Sequence, residues 1–326
     1  MFIHPTNVFF LLFLVMSVHL TVSSNSWFMV WVGLEMNMMF FMPLMIIKNN
    51  KYNSESTLKY FLIQVFSSNI IIISSILTLS SFKLMSTFVL LALLLKAGSA
   101  PFHQWMPSLI EGLNFQVILL LLSIQKINPM ILLTTLSNTD MSQMIFYLAI
   151  FSSGFVGAIS GLSQISLRKI LVFSSISHMS WMLSAIMMSS LTWLNYFLVY
   201  LMVLYTITKI LKMENMTNLN QMLNKMTPNL SLLMPILFMS LGGLPPFTGF
   251  VPKLLISQEL LMMNELIIMA VLLTSTFISL FFYSRVFFFN MLFLSKTKKT
   301  VKTNYTHMMA ASVNLLGLML IPLSLL

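Results

Sequence analysis

Residues 84–107 read LMSTFVLLALLLKAGSAPFHQWMP. An uncharged run from Leu84 leads into Lys96; Gly98 and Pro101 follow at once, then His103 and Trp105. The setting matters more than the lysine itself. An ammonium deep in an apolar helix costs about 2.5 kcal/mol or more at the centre of a bilayer, so it needs a partner, a route to the interface or a function. Gly98 and Pro101 loosen the helix just beyond it. A broken helix holding a buried charge is a recurring device of ion-coupled membrane proteins.

The rest of the chain fits that setting. Of its 326 residues, 58% are hydrophobic and only 7% charged. A soluble domain carries about 25% charged residues, so that class is excluded. Apolar runs recur along the whole length, which reads as an all-α polytopic membrane protein. The first run is not followed by a soluble region, so it reads as a span and not as a cleavable leader. With 17 basic residues against 7 acidic, the excess concerns the two sides of a membrane and not nucleic acid. Cysteine is absent, which excludes disulfides, thiolate chemistry and cysteine-ligated iron–sulfur clusters. The 31 methionines read as apolar packing.

Eleven spans are expected, at 6–20, 27–47, 58–79, 84–101, 113–136, 141–159, 168–190, 193–211, 230–261, 266–290 and 307–326. Residues 213–228 form a polar, Asn-rich linker. The ninth run contains GGLPPFTGFVPK at 242–253. About 20 residues cross a bilayer core, so this run is too long for one plain span and too short for two. It reads as one discontinuous helix broken at Pro245 and Pro246. Alternating sides then place nearly all loop lysines and arginines with the N-terminus, against Lys83, Asp140, Glu259 and Glu265 opposite. That skew puts the N-terminus inside. The breaks KAGSAPF and LPPFTGFVPK resemble each other and lie five spans apart. This points to inverted repeats of about five helices, near 1–136 and 141–290, with 307–326 as a C-terminal helix.

Four charges stand inside spans. Glu35 sits well within the second, too short to reach the interface; a lysine is its expected partner, and a structural ion pair or a protonated carboxyl hydrogen-bonded inside the bundle is the plain alternative. Lys96 is its natural counterpart. A lysine that alternates between a dry setting and a carboxylate alternates between releasing and holding a proton. Lys126 lies near the middle of the fifth span with Pro129 just beyond. Lys253 follows the second break. The plain alternatives are a snorkelling Lys96, a loop Lys126 if the span ends at Asn128 and Pro129, and an interfacial Lys253. His178, among serines in ILVFSSISHMSW, is either a structural histidine or a proton relay. His103 is placed near the interface. Lys209 and Lys212 can snorkel, and Arg168 and Lys169 set topology. No phosphate-binding glycine loop and no zinc-spaced histidines occur. Any redox chemistry therefore belongs to other chains.

The segments NSWFMVWVGLEMN (25–37), LKYFLIQVFSS (58–68), LLLKAGSAPFHQWMPSLIEGL (93–113), RKILVFSSISHMSWM (168–182) and LGGLPPFTGFVPK (241–253) together resemble the subunit 2 family of animal mitochondrial NADH dehydrogenase. These are antiporter-like membrane subunits of respiratory complex I. The high Met and Asn usage without Cys is similar to the product of an AT-rich invertebrate mitochondrial genome, an arthropod's above all. The resemblance implies an antiporter-like fold shortened to eleven helices. It implies a proton-translocating module in the inner mitochondrial membrane, with the N-terminus on the matrix side. Glu35 would be the coupling acid, Lys96 its partner on the first broken helix, Lys126 the central relay and Lys253 the terminal group. It implies other membrane-arm subunits and phospholipids as partners. NADH, FMN, iron–sulfur clusters and ubiquinone would be held by partner subunits, with no cofactor or metal in this chain. One departure stands out: larger antiporter relatives often carry a histidine on the helix of Lys126, and here only Gln125 and Ser123 are near. The rival readings are a stand-alone cation/proton antiporter and a non-pumping structural subunit.

Overall fold

In hydrocarbon a helix satisfies its own backbone polar groups, and apolar runs of this length fold accordingly. The structure is a computed structural model that describes residues 4–46, 51–76, 82–137, 140–225 and 228–294. It divides between Ala149 and Ile150 into two compact units. The first holds α1 (Pro5–Ser23), α2 (Trp27–Met45), α3 (Lys51–Ile76), α4 (Phe82–Ala97), α5 (Trp105–Ile110), α6 (Phe115–Leu122) and α7 (Ile124–Leu136). Helix α8 (Asp140–Leu162) runs through the boundary. The second unit continues with α9 (Leu167–Met188), α10 (Ser190–Met213), α11 (Leu219–Lys225), α12 (Pro228–Gly242), α13 (Phe250–Met262) and α14 (Leu266–Leu294).

Among the described residues, eight helical stretches are long and apolar enough to cross a membrane. Two shorter apolar helices, Ser86–Ala97 and Leu233–Gly242, are the first halves of the expected broken spans. The eleventh span, 307–326, lies outside the described residues, as do Lys48 and Lys296 to Lys302.

Three expectations need correction. The third helix starts at Lys51, inside the expected loop, where Glu55 and Lys59 form an exposed i,i+4 ion pair at 2.5 Å. That spacing puts both on one face and supports an extra turn. The fifth span is not plain. It breaks at Ser123 (φ −113°, ψ −85°), whose hydroxyl donates to Leu119 O at 2.6 Å; a serine hydroxyl competes for a carbonyl of its own helix. The polar linker contains α11, entered through Gln221 Oε1, which accepts from the Thr217 amide at 2.8 Å.

Helix ends follow from short-range chemistry. Ser26 and Ser189 accept amides of the first turns of α2 and α10 and so cap them. Helices α4 and α12 end on Gly98 (φ 70°) and Gly243 (φ 76°), the left-handed conformation that glycine adopts without strain. Asn215 and Asn264 take the same role after α10 and α13. In the second unit α9 is the central helix, with 94% of its span buried. Its serines stay dry because each donates within the helix, as Ser174 does to Leu171 O and Ser175 to Val172 O.

Candidate functional site

The first break is closed by its own residues. The Gly98 amide donates to Leu95 O at 3.1 Å and the Ser99 amide to Leu94 O at 3.2 Å, which satisfies carbonyls that a helix end leaves open. Trp105 Nε1 adds a bond to Leu95 O at 3.2 Å. Lys96 therefore sits in the last turn of α4, at the negative end of its dipole. It is only 7% exposed. His103 is half-buried in the following turn, with Nδ1 3.2 Å from Pro101 O.

Around Lys96 the first unit gathers polar side chains from four helices. One cavity of about 10 Å³ is lined by Asn37 of α2, Tyr60 and Gln64 of α3, Lys96 of α4, and Gln125 and Asn128 of α7. Tyr60 Oη donates to Gln125 Oε1 at 3.0 Å, and Thr21 of α1 donates to Asn128 Oδ1 at 3.1 Å. Asn37 Oδ1, Gln125 Nε2 and Asn128 Nδ2 are buried without a hydrogen-bond partner among the described residues. Lys126 is fully enclosed, 1% exposed, one residue from Gln125 on the same helix.

Glu35 departs from expectation. It accepts a short hydrogen bond from Ser68 Oγ, not a lysine. Among the described residues the only ion pair within 4 Å is Lys59–Glu55, although Glu35 is near enough to Lys96 and Tyr60 to act on both through space. Helix α3 thus carries Tyr60, Gln64 and Ser68, at i, i+4 and i+8, on one face. That stripe of polar groups in an apolar helix is legible at helical spacing, and the sequence reading missed it.

In the second unit, Lys253 reaches back across the second break. Its Nζ donates to Gly242 O, the last residue of α12, at 2.7 Å, and lies 5.7 Å from the Trp181 ring centroid. Gly243 gives it room: a Cβ there would stand 2.7 Å from Lys253 Cδ and 3.1 Å from Nζ. A cation at a helix C-terminus is favoured by the dipole and by an open carbonyl. His178 Nδ1 is 2.7 Å from Tyr196 Oη, and Tyr196 stacks on Trp181 at an interplanar angle of 6°. A small cavity beside them is lined by His178, Tyr196, Tyr200, Ser240 and Pro252. Tyr196 and Trp181 were not singled out from the sequence. Lys209 lies 5.4 Å from the Tyr205 ring centroid. Among the described residues no cluster of His, Asp and Glu has the grouping of a metal site.

Comparison with known proteins decides the family. A family model described as NADH:quinone oxidoreductase/Mrp antiporter, transmembrane, matches residues 76–279. The chain belongs to that family. Within it, the chain is 39% identical to NADH-ubiquinone oxidoreductase chain 2 of Anopheles gambiae, over 78% of this chain and 77% of that protein. It is 45% identical to the Aedes aegypti protein of the same name, over 78% and 76%. The fold is that of a chain in respiratory complex I from Thermus thermophilus, at a TM-score of 0.83, 21% identity and coverage of 98% of this chain and 78% of that one. A chain of the Mrp complex from Dietzia gives a TM-score of 0.77 at 17% identity, over 91% and 62%. This family member is therefore an all-α polytopic membrane protein of the antiporter-like fold, related to subunits of multi-protein membrane complexes.

Proposed function

We propose that this chain is a core membrane-arm subunit of NADH:ubiquinone oxidoreductase, which contributes to proton translocation across the inner mitochondrial membrane. Electron transfer takes place in partner chains that hold NADH, FMN, iron–sulfur clusters and ubiquinone. The proton-carrying groups are Glu35, Lys96, Lys126 and Lys253, with His178 beside the last. Eleven spans, a matrix-side N-terminus, inverted five-helix repeats, and contacts with neighbouring membrane-arm subunits and phospholipids complete the reading.

The observation that carries it is the burial of three lysines, Lys96, Lys126 and Lys253, at 7%, 1% and 9% exposure. Each stands at or beside an interruption in a helix. Buried intramembrane ammonium groups are costly, and their usual role is in ion and proton pathways. The repeat reading gains support from the closures: Gly98 and Gly243 share a left-handed backbone conformation, and each stands three residues before a proline, Pro101 and Pro246. Glu35 is linked to the lysines by charge acting at a distance and not by contact. Protons must therefore pass over intervening polar groups and water.

Likeness to an Mrp complex chain favours one second reading, a cation/proton antiporter; a subunit of the oxidoreductase copurifies with NADH-oxidising activity, and an antiporter does not. The deciding experiment for the proposal is Lys96→Ala in the assembled complex, in sealed vesicles, with proton translocation measured alongside NADH oxidation. Normal assembly with a fall in both pumping and coupled turnover is the expected result. Wild-type pumping would remove Lys96 from the proton machinery.

A further inference from the structure

The cavity beside Lys96 has an unbalanced hydrogen-bond inventory. Thr21 and Tyr60 each occupy the oxygen end of a carboxamide. The nitrogen ends of Asn128 and Gln125 are left buried and unpartnered. Both line the cavity that Lys96 lines. An ammonium has three donors and no acceptor. Two free donors thus outnumber the one free acceptor, Asn37 Oδ1, where a charged lysine needs acceptors. The arrangement suits a neutral amine, whose lone pair accepts.

Thr21 can serve the opposite arrangement as well. Its hydroxyl also reaches Val18 O at 2.8 Å, a shorter contact than the 3.1 Å to Asn128. With its proton on Val18 O, the Thr21 oxygen is free to accept. A half-turn of the Asn128 amide, which exchanges two ends of nearly equal size, then lets Nδ2 donate to Thr21 and turns Oδ1 toward the cavity. No atom needs to be displaced beyond that rotation. Thr21 is held in place by packing: it is 2% exposed, and a Cβ at Gly33 would stand 2.5 Å from its methyl group.

We propose that Asn128 is an amide switch that follows the charge of Lys96, and that Thr21 on the first helix is its positioning residue. The inference rests on Lys96 carrying protons, as argued above. With Lys96 neutral, Asn128 offers Nδ2 to the cavity and its Oδ1 accepts the hydrogen bond of the Thr21 hydroxyl. With Lys96 charged, Asn128 offers Oδ1, and Thr21 gives its proton to Val18. A water in the cavity, which is just large enough for one, carries the contact. Asn128 thereby supplies beside Lys126 the adaptable polar group that a histidine would give. Glu35 of α2 is the titratable group whose charge reaches Lys96, Tyr60 of α3 lines the same cavity, and neither takes part in the rotation.

The test compares Thr21→Val with Thr21→Ser in the assembled complex in sealed vesicles, beside wild type and Lys96→Ala. Valine keeps the shape and loses the hydroxyl; serine keeps the hydroxyl. Coupled proton translocation is expected to fall about threefold to tenfold in Thr21→Val, the scale of one lost hydrogen bond, and to stay near wild type in Thr21→Ser. The pH profile of coupled turnover is expected to shift in Thr21→Val alone. Wild-type pumping with an unshifted profile in Thr21→Val overturns the switch, and so does an equal loss in Thr21→Ser, which would mean packing. If Thr21→Val does not assemble, Thr21→Cys takes its place, with the same loss expected and wild-type pumping overturning the proposal. Loss in Lys96→Ala without loss in Thr21→Val refutes the switch alone, whereas normal pumping in Lys96→Ala refutes the reading beneath it.

Discussion

Gly243→Ala should damage the second break in two separable ways. The backbone there has φ 76°, and an L-residue in that conformation costs about 1–2 kcal/mol. The new Cβ would also stand 2.7 Å from Lys253 Cδ and 3.0 Å from Cε, so the lysine must withdraw. Its bond to Gly242 O is charge-assisted, worth about 1.5–3 kcal/mol. The two effects together come to roughly 2.5–5 kcal/mol. Two comparisons isolate them. Gly242→Ala meets the end of Leu280 at 2.6 Å and the Tyr283 ring at 3.2 Å, without a positive φ or a lysine to displace, and should cost less. On a Lys253→Ala background, Gly243→Ala should cost only the backbone part, because the side chain it strikes is gone. The assay is the double-mutant cycle, read as thermal inactivation of the complex in detergent and as the amount of chain retained in the membrane. A coupling of at least ~1.5 kcal/mol is expected, since the collision and the lost bond vanish together. Strict additivity of the two substitutions would refute the picture of Gly243 as the seat of Lys253.

The other outcomes concern separate contacts. Arg285 of α14 donates from Nη1 to Leu162 O at 2.8 Å and from Nη2 to Gln164 O, holding the open carbonyl end of α8. Arg285→Met should destabilise by about 2–4 kcal/mol and speed amide exchange in 162–167, with Arg285→Lys recovering at most half because it lacks the planar fork; unchanged exchange would refute the capping role. Glu35→Gln preserves an acceptor for Ser68 and removes the charge, while Ser68→Ala preserves the charge and removes the bond. Proton translocation should fall further in Glu35→Gln, and the reverse order would show that the hydrogen bond and not the charge is what matters.

The spans and both breaks were legible because hydrophobic runs and Gly–Pro punctuation are local signals. Residues 230–261 show this well: the length was wrong for any plain reading, and the helix does end at Gly242 and resume at Phe250. The interruption at Ser123 was not legible. Pro129 drew attention six residues away, yet it lies inside α7, while a serine in an apolar run has no sequence mark that separates a break from a helix-bonded hydroxyl such as Ser174. The short α11 was hidden by its polarity, since periodicity is read from apolar residues. Within the site, charges were easy to pick out and neutral polar groups were not. The lysines stand out in an apolar run, but Tyr60, Gln64, Gln125 and Asn128 carry no charge to mark them, and only a tertiary contact shows that they share one cavity. The partner of Glu35 failed for a related reason. Opposite charge was expected to find opposite charge, whereas Ser68 hydrogen-bonds the carboxylate locally.

The two breaks share a closure but bind their lysines differently, and under the proposed function that difference gives them different work. Lys96 belongs to the helix that ends, α4, so its stem moves with that end; what responds to its charge is the ring of side chains around it. Lys253 belongs to the helix that begins, α13, and its ammonium is fastened to the last carbonyl of the one before, α12. That bond spans the break. Neutralising Lys253 weakens the tie between two half-helices, because a neutral amine gains less from the carbonyl and from the helix dipole than an ammonium does. On the proposed relay, a proton arriving at Lys96 would be answered by rotating amides, and a proton leaving Lys253 by a loosened backbone junction. The first is a small, fast and reversible polar rearrangement. The second can pass a change of charge into a change of helix geometry, as a terminal group must if it is to couple proton release to the shape of its surroundings.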